Sequence, residues 1–326
     1  MAFHPSAEHS SMSAGPIPVL DIAAALSGDP DALEETAAAL RTASEETGFV
    51  FMRGHGIPAE QISDGFAAAE AFHALPDAVK NRWPVNDAME GYLSQGGATF
   101  TTSPDLSAKN RSDRNAAFFI GEIRPDGAIP CPDIPEFPAF RPAVIALYRA
   151  FLTLSLALLP LYARALHLPA AAFAPAFRNP MTTLRLTHYP PARYQPDEYG
   201  IAPHVDSSFI TLLAQNPVPG LQLRLRNGEW ADAPSLPGTL LVNTGDMLRR
   251  WTNDRFIATP HRASNATAQD RYAIPFFFHP DPDYRMTCLP RCEMPERPEG
   301  YPPLTPAEYM AWFNRNNYRH MAGKSA

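Results

Sequence analysis

From residue 184 to residue 278 the sequence is one short β-type run after another, each closed off by glycine or proline. Leu184-Arg185-Leu186-Thr187-His188-Tyr189 and Leu221-Gln222-Leu223-Arg224-Leu225 alternate in character. Phe209-Ile210-Thr211-Leu212-Leu213, Thr239-Leu240-Leu241-Val242-Asn243 and Ala273-Ile274-Pro275-Phe276-Phe277-Phe278 are richer in β-branched and apolar residues, as strands buried on both faces are. Successive side chains on a strand point to opposite faces, so such runs build sheets with two distinct sides. Many short strands with this punctuation indicate a sandwich or barrel. The 36 prolines cluster in connections and at element ends, which suggests a loop-rich fold and neither a collagenous nor a disordered one.

The chain has 326 residues, 45% of them apolar, enough for one large domain with a sizeable core or for two smaller ones. A formal net charge of -7 with scattered Lys and Arg argues against a nucleic-acid partner. The first fifteen residues hold no apolar run; they read as a disordered tail rich in Ser, Ala and His, with nothing like a signal peptide. The stretch 151–168 comes nearest to a membrane span, but Pro160, Arg164 and His167 interrupt it, so a buried helix is expected and no membrane partner. Cys131, Cys288 and Cys292 are odd in number and form no CxxC pair, which argues against a disulfide framework or a structural zinc site. A reducing cytoplasm is the default location.

In the N-terminal half, residues 17–22 read as a strand, and Asp29 can cap a helix running to about Glu46 with Leu33, Ala37 and Leu40 on one face. Gly48 ends that helix, residues 49–52 form a buried strand, and residues 54–56 form a turn before a second helix over 58–74. His55 and His73 are expected as a turn residue and a helix-surface residue. Residues 85–138 are irregular, with strand-like pieces at 91–93 and 116–120; such a stretch inside a compact domain is often a functional loop. Tyr92, Phe100, Thr101 and Arg114 are candidate pocket-wall residues there, or ordinary loop packing. A long helix over 142–167 follows, and a C-terminal one over 306–316 carries Tyr309, Trp312 and Phe313 on one face.

The chemistry centres on His204-Val205-Asp206. On a strand, residues i and i+2 share a face, so the imidazole and carboxylate would project together while Val205 packs behind them. With His261 downstream they could form two-His-one-carboxylate ligation, which suits non-heme Fe(II) because it leaves coordination positions open. A His-x-Asp triplet also arises by chance, and a strand histidine is often a satisfied core residue.

Other stretches carry a family resemblance. They are Glu46-Thr47-Gly48-Phe49, Gly54-His55-Gly56-Ile57-Pro58, the run from Leu184 to Pro191, His204-Val205-Asp206, Gly220-Leu221-Gln222-Leu223, the run from Pro237 to Asp246, Trp251-Thr252-Asn253, Thr259-Pro260-His261-Arg262 and Arg271-Tyr272-Ala273-Ile274-Pro275-Phe276-Phe277. In this order and over nearly the whole chain, the sequence resembles the isopenicillin N synthase-like branch of the Fe(II)/2-oxoglutarate-dependent dioxygenases. The resemblance implies a mainly β fold: a double-stranded β-helix, or jelly-roll, with N-terminal helices packed outside one sheet and a C-terminal helix closing it. It implies a tail over 1–15 and one catalytic domain over 16–326. Within that domain, 16–178 is a helical region with substrate loops, 179–285 the jelly-roll core with the metal site, and 286–326 the C-terminal segment and helix.

The resemblance also implies Fe(II) on His204, Asp206 and His261, with 2-oxoglutarate and O2 taking the open positions. Decarboxylation to succinate and CO2 would be coupled to hydroxylation, desaturation or ring formation on a small organic metabolite. Arg271 matches the arginine that holds the far carboxylate of 2-oxoglutarate, Tyr189 a tyrosine bonded to the same carboxylate, and Thr187 stands where relatives often have Asn. One departure stands out: the family pattern Arg-x-Ser is here Arg271-Tyr272-Ala273, so one carboxylate oxygen is short of a donor unless Thr187 or a water compensates. Alternatives are an Fe(II) oxidase of the same fold that uses no 2-oxoglutarate, or a non-catalytic jelly-roll binding protein. Phe209, Leu221, Phe277 and Tyr92 are candidate substrate-pocket residues, and Arg114 or Arg193 could pair with a substrate carboxylate.

Overall fold

A computed structural model describes residues 15–99, 113–195, 197–298 and 300–323. All but the last residue of the expected tail, and the candidate wall residues Phe100 and Thr101, lie outside the described residues. The strands are β1 (Val19–Asp21), β2 (Phe49–Arg53), β3 (Gly91–Leu93), β4 (Ala116–Ile120), β5 (Thr182–Tyr189), β6 (Ile201–His204), β7 (Ile210–Gln215), β8 (Leu221–Arg224), β9 (Trp230–Asp232), β10 (Thr239–Thr244), β11 (His261–Ala263) and β12 (Arg271–Phe278). The helices are α1 (Ala23–Leu26), α2 (Pro30–Glu46), α3 (Ala59–His73), α4 (Asp77–Lys80), α5 (Phe140–Ala165), α6 (Asp246–Trp251) and α7 (Pro306–Asn317).

The strands form an eight-stranded sheet, ordered β1-β2-β10-β7-β12-β5-β4-β3, and a four-stranded sheet, ordered β6-β11-β8-β9. All neighbours are antiparallel except β1 and β2. The result is the expected jelly-roll core. Along β5, Leu184 and Leu186 are fully buried beneath the helices, while Thr183, Arg185, Thr187 and Tyr189 line a cavity between the sheets. That is the period-2 division of a strand covered on both sides.

The helices lie where their caps and apolar faces dictate. The Asp29 carboxylate accepts from the N–H groups of Asp31 and Ala32, so α2 begins where an N-cap residue was expected. Gly48 follows it at φ +66, and a Cβ there would stand 2.4 Å from the carbonyl oxygen of Ile257; only glycine fits. By length and composition α5 could cross a membrane, contrary to the sequence expectation. Instead it buries Leu147, Tyr148, Phe151 and Leu158 within the core and sets Tyr148 edge-on against Phe276 of β12, 5.3 Å between ring centres. Pro160 lies inside this helix without ending it; the carbonyl it leaves without an N–H belongs to Leu156, on the exposed side. On α7, Tyr309 and Phe313 are buried as expected, but Trp312 is 44% exposed: the apolar stripe is narrower than three aromatics.

His73 also departs from expectation. It is only 6% exposed, because α3 packs on β5 and sets its Nε2 at 3.0 Å from the Leu186 carbonyl. Burial drives this imidazole from its usual 6.5 down to about 3. Between those values the unfolded chain binds a proton that the folded one refuses, so stability should fall as pH falls, by about 1.4 kcal/mol per pH unit. Urea unfolding between about pH 7 and 5 should show a shallower loss for His73→Gln than for the wild type. Equal slopes would mean that His73 titrates normally.

Candidate active site

The cavity occupies about 930 Å3, mouth included, and both sheets wall it. Its side chains come from alternate positions: Arg271, Ala273, Pro275 and Phe277 on β12, Thr211 and Leu213 on β7, and Asn243 on β10. The four-stranded sheet contributes Ile201, His204, Leu221, His261 and Ala263.

His204 and His261 are direct partners across the antiparallel pair of β6 and β11. Their ring centres are 4.4 Å apart. Asp206 stands just past the end of β6, where its backbone carbonyl accepts from Asp246 N at 2.7 Å. The chain has therefore left the strand before the carboxylate, and Val205 is partly exposed rather than packed behind the site. The shared direction survives: Asp206 Oδ1 is 3.6 Å from Nε2 of both histidines. One ligand atom from each of the three lies within 4.8 Å of the others, and all three residues are buried.

These contacts fit a divalent cation. Nδ1 of His204 is 2.8 Å from the Ala202 carbonyl, and Nδ1 of His261 is 3.2 Å from the Thr259 carbonyl. A carbonyl can only accept, so each neutral ring donates from Nδ1 and turns its Nε2 lone pair towards Asp206. Asn243 Nδ2 donates to Asp206 Oδ2 at 2.8 Å and leaves Oδ1 for the centre. Burial alone would raise the Asp206 carboxyl, but with no metal between them a proton taken up on Nε2 gives His261 a charge and lets the histidines donate to the carboxylate, and this holds it well below the usual carboxylate range. The anion that draws a proton towards His261 would draw a metal ion between the three. The donor set of two imidazoles and one carboxylate suits Fe(II).

A second polar centre lies at the Tyr189 end of β5. Arg271 is 1% exposed and pairs across the sheet with Tyr189, its guanidinium 4.7 Å above that ring. Its Nη2 donates to Gln215 Oε1 at 3.0 Å, while Nε and Nη1 are buried with no partner among the described residues. Ala273 lies between Thr187 and Gln215 in the sheet, and the Thr187 hydroxyl is likewise buried and unpartnered. Gly220 permits this packing: a Cβ would fall 1.9 Å from the Ser264 carbonyl and 3.3 Å from Arg271 Cδ. Unpaired donors aimed into a cavity are the fit expected for a carboxylate guest such as that of 2-oxoglutarate.

Residues 180–280 match the model of the 2OG-Fe(II) oxygenase superfamily, and residues 17–137 match that of the N-terminal region of non-haem dioxygenases in morphine synthesis. The chain is 30% identical to the 2-oxoglutarate-Fe(II) type oxidoreductase hxnY of Emericella nidulans, over 92% of this chain and 90% of that one. It is 33% identical to the 2-oxoglutarate-dependent dioxygenase citB of Monascus ruber, over 84% of this chain and 88% of that one. The protein belongs to the Fe(II)/2-oxoglutarate-dependent dioxygenases. Among solved structures, a full-length Neurospora crassa protein in complex with alpha-KG superposes with a TM-score of 0.79 at 26% identity, covering 91% of this chain and 95% of that one.

In this dioxygenase the other candidate residues divide. Leu221 and Phe277 line the cavity. Tyr92 does not: it packs on the helix side, 5.6 Å from the Phe72 ring. Phe209 sits just before β7 within a separate aromatic cluster, 5.0 Å from both Phe173 and Phe177. Arg114 is half-exposed, pairs with Glu198 at 3.5 Å and donates to the backbone carbonyl of Arg193; neither arginine reaches the cavity. Sequence reasoning assigned no role to Asn243, Gln215, His279 or Arg185, all of which stand in or against the site. Ser207 is 3.4 Å from Nε2 of His279, and burial pushes that imidazole down to about 4.

Proposed function

We propose that the enzyme binds Fe(II) through His204, Asp206 and His261, and grips the far carboxylate of 2-oxoglutarate with Arg271, aided by Tyr189 and Thr187. It would then oxidise a small organic molecule as a single catalytic unit over 16–326. The observation that carries this reading is the pair of unpartnered Arg271 donors in the same cavity as the His-Asp-His cluster. The alpha-KG complex of the Neurospora crassa relative supports it. Bound together, metal, co-substrate and O2 supply the oxidising power, with succinate and CO2 as by-products.

The chain's own residues orient and enclose. Asn243 fixes the carboxylate of Asp206, and the Ala202 and Thr259 carbonyls fix both rings. Met310, Phe313 and Asn314 of α7 wall the cavity, and α7 is tied down where the Tyr309 hydroxyl donates to Asp246 Oδ2 at 2.7 Å. Such a wall limits water on its side of the reacting centre. The three free thiols fit the cytoplasmic location adopted with this reading.

The deciding experiment is release of labelled CO2 from 2-oxoglutarate labelled at carbon 1, with Fe(II) and O2 supplied. Release that needs both iron and the intact triad is the expected result. Oxygen uptake without CO2 release would instead indicate an oxidase that takes its electrons from the substrate.

A further inference from the structure

Arg185 lies on the cavity-facing side of β5, four residues before Tyr189 and so about 13 Å along the strand from the Arg271 end. It is 3% exposed. Its Nη2 donates to Asn115 Oδ1, and Asn115 is itself fixed by donating to the Gly200 carbonyl at 2.6 Å. Its Nε is buried with no partner among the described residues. Its guanidinium stands 5.1 Å from the centre of the Phe119 ring, which packs edge-on to Tyr318 at 6.1 Å. Among the described residues no carboxylate forms an ion pair with it; the buried Asp113 is close enough for its charge and that of Arg185 to act on each other, and it uses Oδ1 to accept from Ala202 N at 2.8 Å while its Oδ2 has no partner among the described residues. Burial pushes the Asp113 carboxyl up to about 7, against the pull of Arg185, so it is only a partial counter-charge, and a buried cation is costly unless a ligand supplies the rest. The same cavity is lined by the apolar Met89, Ile201, Met310 and Phe313, together with the polar Asn314 and Tyr318.

The geometry points to Arg185 as the anchor for a carboxylate on the oxidised substrate, which makes that substrate an organic acid with an apolar body. This rests on the proposed function, since it presumes that Arg271 is taken by 2-oxoglutarate. Two buried guanidinium groups on one sheet face would then divide the work, one for each acid, with the apolar residues of the same cavity holding the carbon skeleton. Asn115 would be a positioning residue that holds the guanidinium in plane with its guest.

The test uses the full chain loaded with Mn(II), without O2, and calorimetric titration with 3-phenylpropionate and 4-phenylbutyrate, each against its primary amide. Titrations run with and without saturating 2-oxoglutarate. At least one acid should bind about tenfold or more tighter than its amide, the worth of a hydrogen-bonded charge. Arg185→Gln should erase that preference and leave 2-oxoglutarate affinity unchanged, and Arg185→Lys should keep part of it. A purely structural brace would lower the melting temperature of the variants without touching the acid-to-amide ratio. No acid preference in the wild type, or a preference that survives Arg185→Gln, overturns the assignment. So does an acid that 2-oxoglutarate displaces and Arg271→Gln abolishes, because that acid sits at the co-substrate site. If 2-oxoglutarate itself fails to bind, the proposed function falls, while the ratio measured with metal alone still decides the role of Arg185.

Discussion

Asp206→Ala should lose bound iron and turnover together. The carboxylate is the one anion among the three donors, and its Oδ1 is the atom that both histidine Nε2 groups face at 3.6 Å. Without it, two neutral imidazoles would have to hold a dication in a buried site, where uncompensated charge is most expensive. His204→Ala and His261→Ala should behave nearly alike. Asn243→Ala is the graded control. It removes the 2.8 Å hydrogen bond that orients Asp206 but leaves every ligand in place. Loss of such an outer partner typically costs about 10–100-fold in metal affinity or activity, and loss of the ligand should cost more. Iron content by elemental analysis and labelled CO2 release would be read on the same samples. Native iron and turnover in Asp206→Ala would remove the triad as the metal centre.

The strands were legible because alternation and glycine-proline punctuation are local signals, and the start of α2 was legible because Asp29 is a local cap. The triad was legible as residue types but not as geometry. What brings the histidines together is the non-local pairing of β6 with β11, and the i, i+2 argument missed that β6 ends at His204. Facing was the least readable property. Tyr92 reads as a wall residue in an irregular stretch, yet β3 turns it towards Phe72 and α3. His73 reads as a surface residue of a helix, and only the packing of α3 on β5 buries it. Arg185 shows why alternation can mislead. A charged residue in an apolar-polar strand reads as solvent-facing, but here the polar side of β5 faces an internal cavity, so its arginine is a buried one. The Arg271 motif escaped this difficulty because a family resemblance, not periodicity, singled it out.

Arg271→Gln should raise the 2-oxoglutarate requirement by on the order of 100-fold, since truncating one partner of a buried charge pair leaves the other unmet. The missing serine of the family pattern makes a finer result expected. Ala273 is buried, and its neighbours across the sheet are Thr187 on one side and Gln215 on the other. Gln215 already accepts from Arg271, whereas the Thr187 hydroxyl is buried with no partner among the described residues and lines the cavity. A hydroxyl on the neighbouring strand can thus serve the oxygen that a serine at 273 would have served. Thr187→Val should therefore weaken 2-oxoglutarate binding by about tenfold, the worth of one hydrogen bond to a charged group. Ala273→Ser should change the wild type little and should restore most of what Thr187→Val loses. Anaerobic equilibrium dialysis of labelled 2-oxoglutarate against the four proteins closes the cycle, with iron content as the control because neither position is a ligand. Independent, additive effects would show that the two hydroxyls do not share an oxygen. Unchanged affinity in Arg271→Gln would remove the arginine as the anchor altogether, and the cavity's unpaired donors at that end would then have to answer to the oxidised substrate instead.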